Sequence, residues 1–507
     1  MNTSVRHATA ADRRTLIAAA YDPQSVRAAG QHLVALLTEH LRTVQSGQGP
    51  VLHWDEPEHN IALARQRLQE AEASATSLEM GSLVARFDAL VEQSLGRGQN
   101  LHHPHYIGHQ VPASLPLAAL FDAVGSITNQ VMAIYEMGPW ATAVEHAVVQ
   151  QLGEAIGFSP GQFSGLITSG GSLANLTALL TARNVQLDNC WRRGLVDQSP
   201  APVLVVHSDA HYSVMRAAGV LGLGTDQVVR VPLDDRRRMD VDRLDAILAE
   251  LRARGVPIVA VAAAACATPV GAFDRLVEVA EVCRRHEVWL HVDAAHGGAA
   301  CLSAKYRHLV AGLELADSVV CDAHKMLFMP ALCALVFYRD RAHRHAAFEQ
   351  TAPYLFDPSA PDLAEYDSGR SNLECTKRAA ALGLWGVWSL FGRRLFEALV
   401  DTTFDLGGQF YELLEAQEDF EPYCRPECNI VVFRYLPPAL RDCSPEQADD
   451  FQLQLRRAVV RSGDYYLVPN RIDNRSYLRT TIINPLTTEE HLRGLLDCLR
   501  KHGQQLL

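Results

Sequence analysis

The chain has 507 residues, 48% of them hydrophobic, and a net charge of −12. This composition excludes a disordered chain and supplies a large core, divided over two or three lobes. No basic stripe stands out, which argues against a nucleic-acid partner. The longest apolar runs, such as Ile258–Ala267, fall short of the ~20 residues a membrane-spanning helix needs.

The N-terminus, Met1-Asn-Thr-Ser-Val-Arg-His, lacks the apolar core of a signal peptide, so a cytoplasmic protein is expected. Residues 1–100 read as an N-terminal helical segment, with apolar residues at helical spacing over Ser25–Ser46 and Glu58–Gln93. A polar knot at Gly96-Arg-Gly-Gln-Asn then runs into His102-His-Pro-His. Residues 101–390 read as a large domain in which helices alternate with short apolar runs. The strand candidates are Gly165–Thr168, Val203–His207, Ile258–Ala264, Val288–Val292, Ser318–Cys321 and Cys333–Tyr338. That alternation predicts an α/β fold, a mostly parallel sheet with helices on both faces. Ala352–Ser371 breaks the periodicity and reads as a long functional loop, and a helix is expected from near Cys375. Residues 391–507 read as a small C-terminal α+β domain with strands near Asn429–Arg434 and Tyr477–Ile482. The eleven cysteines are scattered, several within apolar runs, and Cys424 and Cys428 lack C-x-x-C spacing. Buried reduced thiols are expected.

The polar residues that follow the strand candidates carry the chemistry, because open α/β sheets bind ligands beyond the carboxyl ends of their strands. Gly170, Gly171 and Ser172 follow the first strand and open a helix, where free N–H groups and the helix dipole favour a phosphate. His211 follows the second strand, Thr268 the third, Asp293 ends the fourth, and Lys325 follows the fifth. Lys325 supplies an amine that can form an imine, and Asp293 a carboxylate that can pair with a ring nitrogen. With the Gly-rich turn these are the three needs of pyridoxal 5'-phosphate (PLP). Singly each signal is weak: most Gly-Gly-Ser turns are only turns, and a lysine after a strand is usually solvated. Their convergence on one rim carries the reading. Gly219-Val-Leu-Gly-Leu-Gly lacks the spacing of a dinucleotide fingerprint. His102, His103, His105 and His109 are interrupted by Pro104 and lack a nearby Cys pair, so no metal site is expected.

The chain resembles the group II PLP-dependent amino-acid decarboxylases, and within them the glutamate and cysteine-sulfinate decarboxylase branch. The likeness spans roughly residues 95–500. It rests on Tyr135-Glu-Met-Gly-Pro, Ser169-Gly-Gly-Ser-Leu-Ala-Asn, His211-Tyr-Ser, His291-Val-Asp-Ala-Ala-His-Gly-Gly, Asp322-Ala-His-Lys-Met, Tyr366-Asp-Ser-Gly and Tyr477-Leu-Arg. It implies the PLP-dependent transferase type I (aspartate aminotransferase-like) fold with a seven-stranded sheet, and a homodimer with its active site at the interface. By the same resemblance Lys325 would carry the cofactor as an aldimine, Asp293 would keep the ring nitrogen protonated, and His211 would stack on the ring. Gly170, Gly171, Ser172, Thr268, Ala295 and His324 complete the expected cofactor site. Arg479, His109 and Tyr106 are the expected substrate contacts.

Three departures accompany the resemblance. Cys266-Ala267-Thr268 stands where relatives carry Gly-Thr-Thr. His109 stands where the branch has a glutamine. The loop position that should hold a proton-donating tyrosine is Asp362, and Tyr354 and Tyr366 match other tyrosines of the branch. The expected reaction is decarboxylation of an L-amino acid, with an acidic or sulfinic side chain, to the amine. The alternative is an oxygen-dependent or transaminating reaction that gives an aldehyde because the loop tyrosine is missing.

Overall fold

The structure, a computed structural model, describes residues 9–73, 78–196, 198–348, 356, 359 and 361–507. The chain forms two compact units, one of Met1–Ile107, Leu453–Leu467 and Leu486–Leu507, the other of Gly108–Gln452 and Val468–Pro485.

In the first unit, helices α1 (Ala10–Ala20), α2 (Pro23–Gln45), α3 (Pro57–Ala73) and α4 (Met80–Arg97) follow the helical spacing of the sequence. Helix α2 starts where Asp22 accepts from the Gln24 N–H and Pro23 occupies the first turn, where its missing N–H costs nothing. The His32 and Asp88 side chains, 2.7 Å apart, tie α2 to α4. The Val51 N–H donates to the Gly463 carbonyl at 2.8 Å. The His105 and Tyr465 rings stack at 3.9 Å, and those of Tyr106 and Tyr466 at 5.4 Å. Tyr106 is thus a buried core residue of this unit.

The second unit is built on an eight-stranded sheet. Its strands are β1 (Ser164–Thr168), β2 (Val203–His207), β3 (Val228–Val231), β4 (Ile258–Ala267), β5 (Leu290–Asp293), β6 (Ser318–Asp322) and β7 (Ala334–Tyr338). They lie in the order β1-β7-β6-β5-β4-β2-β3, and Ala272–Phe273 adds a short eighth strand on β4. All pairs from β6 to β3 are parallel, while β7 runs against both neighbours. This is the mostly parallel sheet expected from the sequence, and its β-branched runs are buried on both faces as such sheets require. Helix α7 (Gly171–Gln186) packs Ala174, Ala178 and Leu179 into a core shared with Leu204, Val206, Trp289 and Tyr338.

Two local differences from the sequence reading have physical reasons. β3 was not foreseen: it is four residues at the sheet edge, with Arg230 exposed, so it lacks a buried apolar signature. No helix starts at Cys375. That residue has φ +60, and Lys377–Arg378 then pairs with Val131–Met132. The buried Lys377 ammonium bonds Glu145 at 2.5 Å and the Ile167 carbonyl at 2.7 Å, holding this stretch extended. The helix begins at Leu382.

A smaller antiparallel sheet contains β8 (Phe420–Pro422), β9 (Ile430–Tyr435), β10 (Val468–Ile472) and β11 (Arg475–Thr481), in the order β8-β9-β11-β10. The central strands β9 and β11 match the sequence reading, while the edge strands are polar or short and were missed. Among the described residues, no helix is long and apolar enough to cross a membrane. All eleven cysteines are free thiols, most of them buried.

Candidate active site

The carboxyl ends of the parallel strands open onto one cavity of about 340 Å³. Gly170, Gly171, Ser172, His211, Thr268, Asp293, Ala295, His324 and Lys325 all line it. Strand-end position alone had grouped seven of these; Ala295 and His324 were expected only from the resemblance.

Gly170, with φ +103, turns the chain from β1 into α7. The first N–H groups of that helix, at Gly171 and Ser172, have no intrahelical acceptor, and such a helix start favours an anion. Gly171 is fixed by space: a Cβ there would lie 2.6 Å from an Asp322 carboxylate oxygen. Asp322 is a buried residue to which the sequence reading gave no role. Its Oδ2 is 3.2 Å from the Lys325 ammonium, and its Oδ1 has no hydrogen-bond partner. Burial works against the Lys325 charge, but Asp322 and then Asp293 outweigh it and hold the ammonium pKa above the usual lysine value. Burial raises the Asp322 carboxyl, and Lys325 opposes that rise. We take the pair as ionic, because the two groups are within ion-pair distance.

Asn175, one turn into α7, was also missed. Its amide nitrogen donates to Asp293 Oδ2 and to Ser213 Oγ, both at 2.9 Å. Its carbonyl oxygen faces His291 Nε2 at 3.0 Å. On the other side His291 Nδ1 meets Ser318 Oγ at 2.9 Å, and that hydroxyl accepts from the Trp289 indole N–H. The donors fix every proton: Ser318 donates to His291 Nδ1, and His291 Nε2–H donates to Asn175. Burial holds the His291 imidazole neutral, its pKa lowered to about 4. At the other end Ser213 donates to His211 Nδ1 at 2.8 Å. That same nitrogen caps helix α8 (Tyr212–Val220) by accepting the Ser213 backbone N–H. His211 is therefore the Nε2–H tautomer, and burial lowers its pKa, so the ring is neutral near pH 7. One amide thus orients both the carboxylate and the imidazole expected to hold a cofactor ring.

Cys266 also lines the cavity, at φ +80, a conformation that favours glycine. Its sulfur lies 3.6 Å from that of Cys428. His296, another lining residue, bonds Asn429 Oδ1 at 2.8 Å, and burial lowers its pKa to about 3. Arg479 is buried on β11 and donates to the Thr268 carbonyl at 2.6 Å, while its Nε has no acceptor. His109 is exposed, and its neighbour Gln110 lines the cavity. Asp362 is exposed in a 3-10 turn, and Tyr366 packs between the rings of Tyr135 and His146. Tyr354 lies outside the described residues.

The residues present fit PLP: free N–H groups at a helix start for its phosphate, Asp293 for its ring nitrogen, His211 for its ring face and Lys325 for its aldehyde. Comparison with known proteins agrees. The pyridoxal-dependent decarboxylase conserved domain matches residues 66–436. A Rattus norvegicus protein, cysteine sulfinic acid decarboxylase, is 29% identical over 506 residues, 98% of this chain and 100% of the relative. The Mus musculus acidic amino acid decarboxylase GADL1 is 31% identical over 418 residues, 80% of this chain and 74% of that protein. The crystal structure of mouse CSAD superposes with a TM-score of 0.85 at 27% identity, over 95% of this chain and 99% of the other. Oryza sativa TDC, solved with PLP and tryptamine, shares the fold at 21% identity and a TM-score of 0.85. By the domain it carries and the site that domain builds, this chain belongs to the pyridoxal-dependent decarboxylase family.

Proposed function

We propose that this enzyme removes the α-carboxylate of an amino acid with an acidic or sulfinic side chain and releases the amine. The observation that carries the reading is the single cavity on which Lys325, Asp293, His211 and the Gly171 helix start converge. When bound, PLP supplies an aldehyde that condenses with amines and a ring that accepts electrons. The chain does the rest. Asp293, held by Asn175 and by the Ala295 N–H at 3.1 Å, keeps a proton on a ring nitrogen. His211 presents its Nε2–H to the cavity as a fixed donor. Lys325 offers an amine for exchange with the substrate amine, with Asp322 beside it to take up or return a proton.

The substrate class rests on the relatives that act on cysteine sulfinate and on acidic amino acids. A buried guanidinium at Arg479, with one N–H unpaired, supports it, since such a group suits a carboxylate or sulfinate. We further propose a cytoplasmic homodimer with the active site at the subunit interface. Leu120, Val124 and Ile127 on helix α5 (Pro116–Ile127) are 53–71% exposed, an apolar face that supports a partner.

Mass spectrometry of products from an amino-acid panel, with and without oxygen, tests the reading. An amine equal to cysteine sulfinate, aspartate or glutamate minus CO2, formed in both conditions, supports it. An aldehyde formed only with oxygen would replace it with the second reading, which Asp362 favours because it stands where a proton-donating tyrosine is expected. Turnover of neutral or aromatic amino acids alone would overturn the substrate class.

A further inference from the structure

A second cavity, of about 760 Å³, lies at the other end of β1. Ser164, the first residue of that strand, lines it, whereas the cofactor cavity begins past Thr168. At about 3.3 Å per residue the two are separated by roughly 15 Å of strand. Nothing in the proposed reaction uses this second site.

Its charges do not balance. Arg344 lines the cavity and is 5% exposed. Its Nε donates to Ser371 Oγ at 3.2 Å, and its Nη1 meets His146 Nε2 at 3.5 Å. Both partners are neutral, since burial lowers the His146 pKa to about 4. Among the described residues no carboxylate lies within 4 Å of this guanidinium, which carries five N–H donors. Arg370 also lines the cavity. Its Nε is buried without a hydrogen-bond acceptor, and it pairs only at 3.9 Å with Asp367 Oδ2, the carboxylate whose other oxygen accepts the Tyr135 N–H. The other charges nearby are spoken for: Glu145 bonds Lys377, and Glu365 pairs with Arg341 at the rim. His345 is a further lining imidazole whose pKa burial lowers. Among the described residues Arg344 therefore faces the cavity with no carboxylate within 4 Å, and Arg370 with only the 3.9 Å pairing to Asp367, an arrangement that a bound anion completes.

We infer that this cavity binds a small dianion, of the phosphate or dicarboxylate class, between Arg344 and Arg370. A guanidinium fork matches both ligand types with paired hydrogen bonds. The site is separate from the one that holds the phosphate of PLP, so it accepts its ligand in the cofactor-loaded enzyme.

The test uses the PLP-loaded protein, so that the cofactor's own phosphate site is filled. Inorganic phosphate and malonate are titrated separately, with line broadening of the free ³¹P signal read for phosphate and thermal stabilisation for both. Cofactor absorbance checks that PLP stays bound. Saturable binding of either anion is expected, weakened at least tenfold in Arg344→Met and in Arg370→Gln. If Arg344→Met does not fold, Arg370→Gln decides, since that side chain is one-third exposed. No saturable binding of either anion, or binding unchanged in the variants, overturns the inference.

Discussion

Asn175 shows how much a single side chain can organise. It donates to Asp293 and to Ser213, and through Ser213 it sets which nitrogen of His211 carries the proton. Asn175→Ala leaves the Asp293 carboxylate and the His291 N–H short of a partner each. Losing a hydrogen bond to a charged, part-buried group costs about 1–3 kcal/mol, roughly 5- to 150-fold in affinity. The expected result is weaker PLP retention, read as the rate at which cofactor fluorescence appears on dilution. Unchanged retention would show that Asp293 is held well enough without the amide. Lys325→Ala should abolish turnover yet still bind PLP, without the absorbance band of a lysine-linked cofactor. Full activity in that variant would sink the proposed role. The reach of sequence reading is visible in these residues. Asp293 and Lys325 were legible because β-branched runs announce strands, and strand ends announce sites. Asp322 obeys the same rule and sits in a motif already singled out, but the residue beside a lysine drew less notice than the lysine. Asn175 closes a motif already singled out, but its role was hidden, because its place past the first turn of a helix points to no partner. Only the fold brings it against a strand more than a hundred residues away.

Among the elements, helix α5 is the one least explained by the chain's own core. Leu117, Leu120, Val124 and Ile127 follow helical spacing and range from 41% to 71% exposed. A lone exposed leucine needs no account, but a stripe of four does. For the dimer proposed above, Leu120→Glu combined with Ile127→Glu should leave only monomer in sedimentation velocity, without loss of helix content in circular dichroism. A double variant that still sediments as a dimer would remove this stripe from the interface. Strand β4 teaches a different lesson. It was read as ending at Ala264 but continues to Ala267, through the left-handed backbone at Cys266. The pairing with Ala272–Phe273 shifts register there, and no residue-level propensity encodes such a bulge. The strand's sequence told of burial, while its end was set by what pairs with it.

For the molecule as a whole, acid should be the weak point. Unfolded, the His291 imidazole takes a proton near pH 6.5, but in the fold only near pH 4. Between those values the unfolded chain binds more protons than the native one, so stability falls as pH falls from 6.5 towards 4. That one group accounts for a loss of roughly 3 kcal/mol across the window. His105 and His146, also lowered to about 4, act in the same direction. Thermal melts of the enzyme between pH 7 and pH 4 should show a steep decline, shallower in His291→Gln, whose amide does not titrate. A flat profile through this window would mean that these imidazoles take up protons in the fold as readily as in the unfolded chain. The large α/β unit was legible in the sequence because alternating periodicities persist for more than two hundred residues. The composition of the two units was not. Segments from both ends of the chain build one of them, and no local pattern records that pairing.

Cys266 holds a consequence for anyone who wishes to reshape this enzyme. Enlarging a binding cavity usually sacrifices stability, because a core side chain is lost. Here the side chain sits on backbone that glycine adopts freely and cysteine resists, by about 1–2 kcal/mol. The smaller residue at this position is also the better-tolerated one, so a library directed at substrate range can begin at 266 with the usual trade-off reversed.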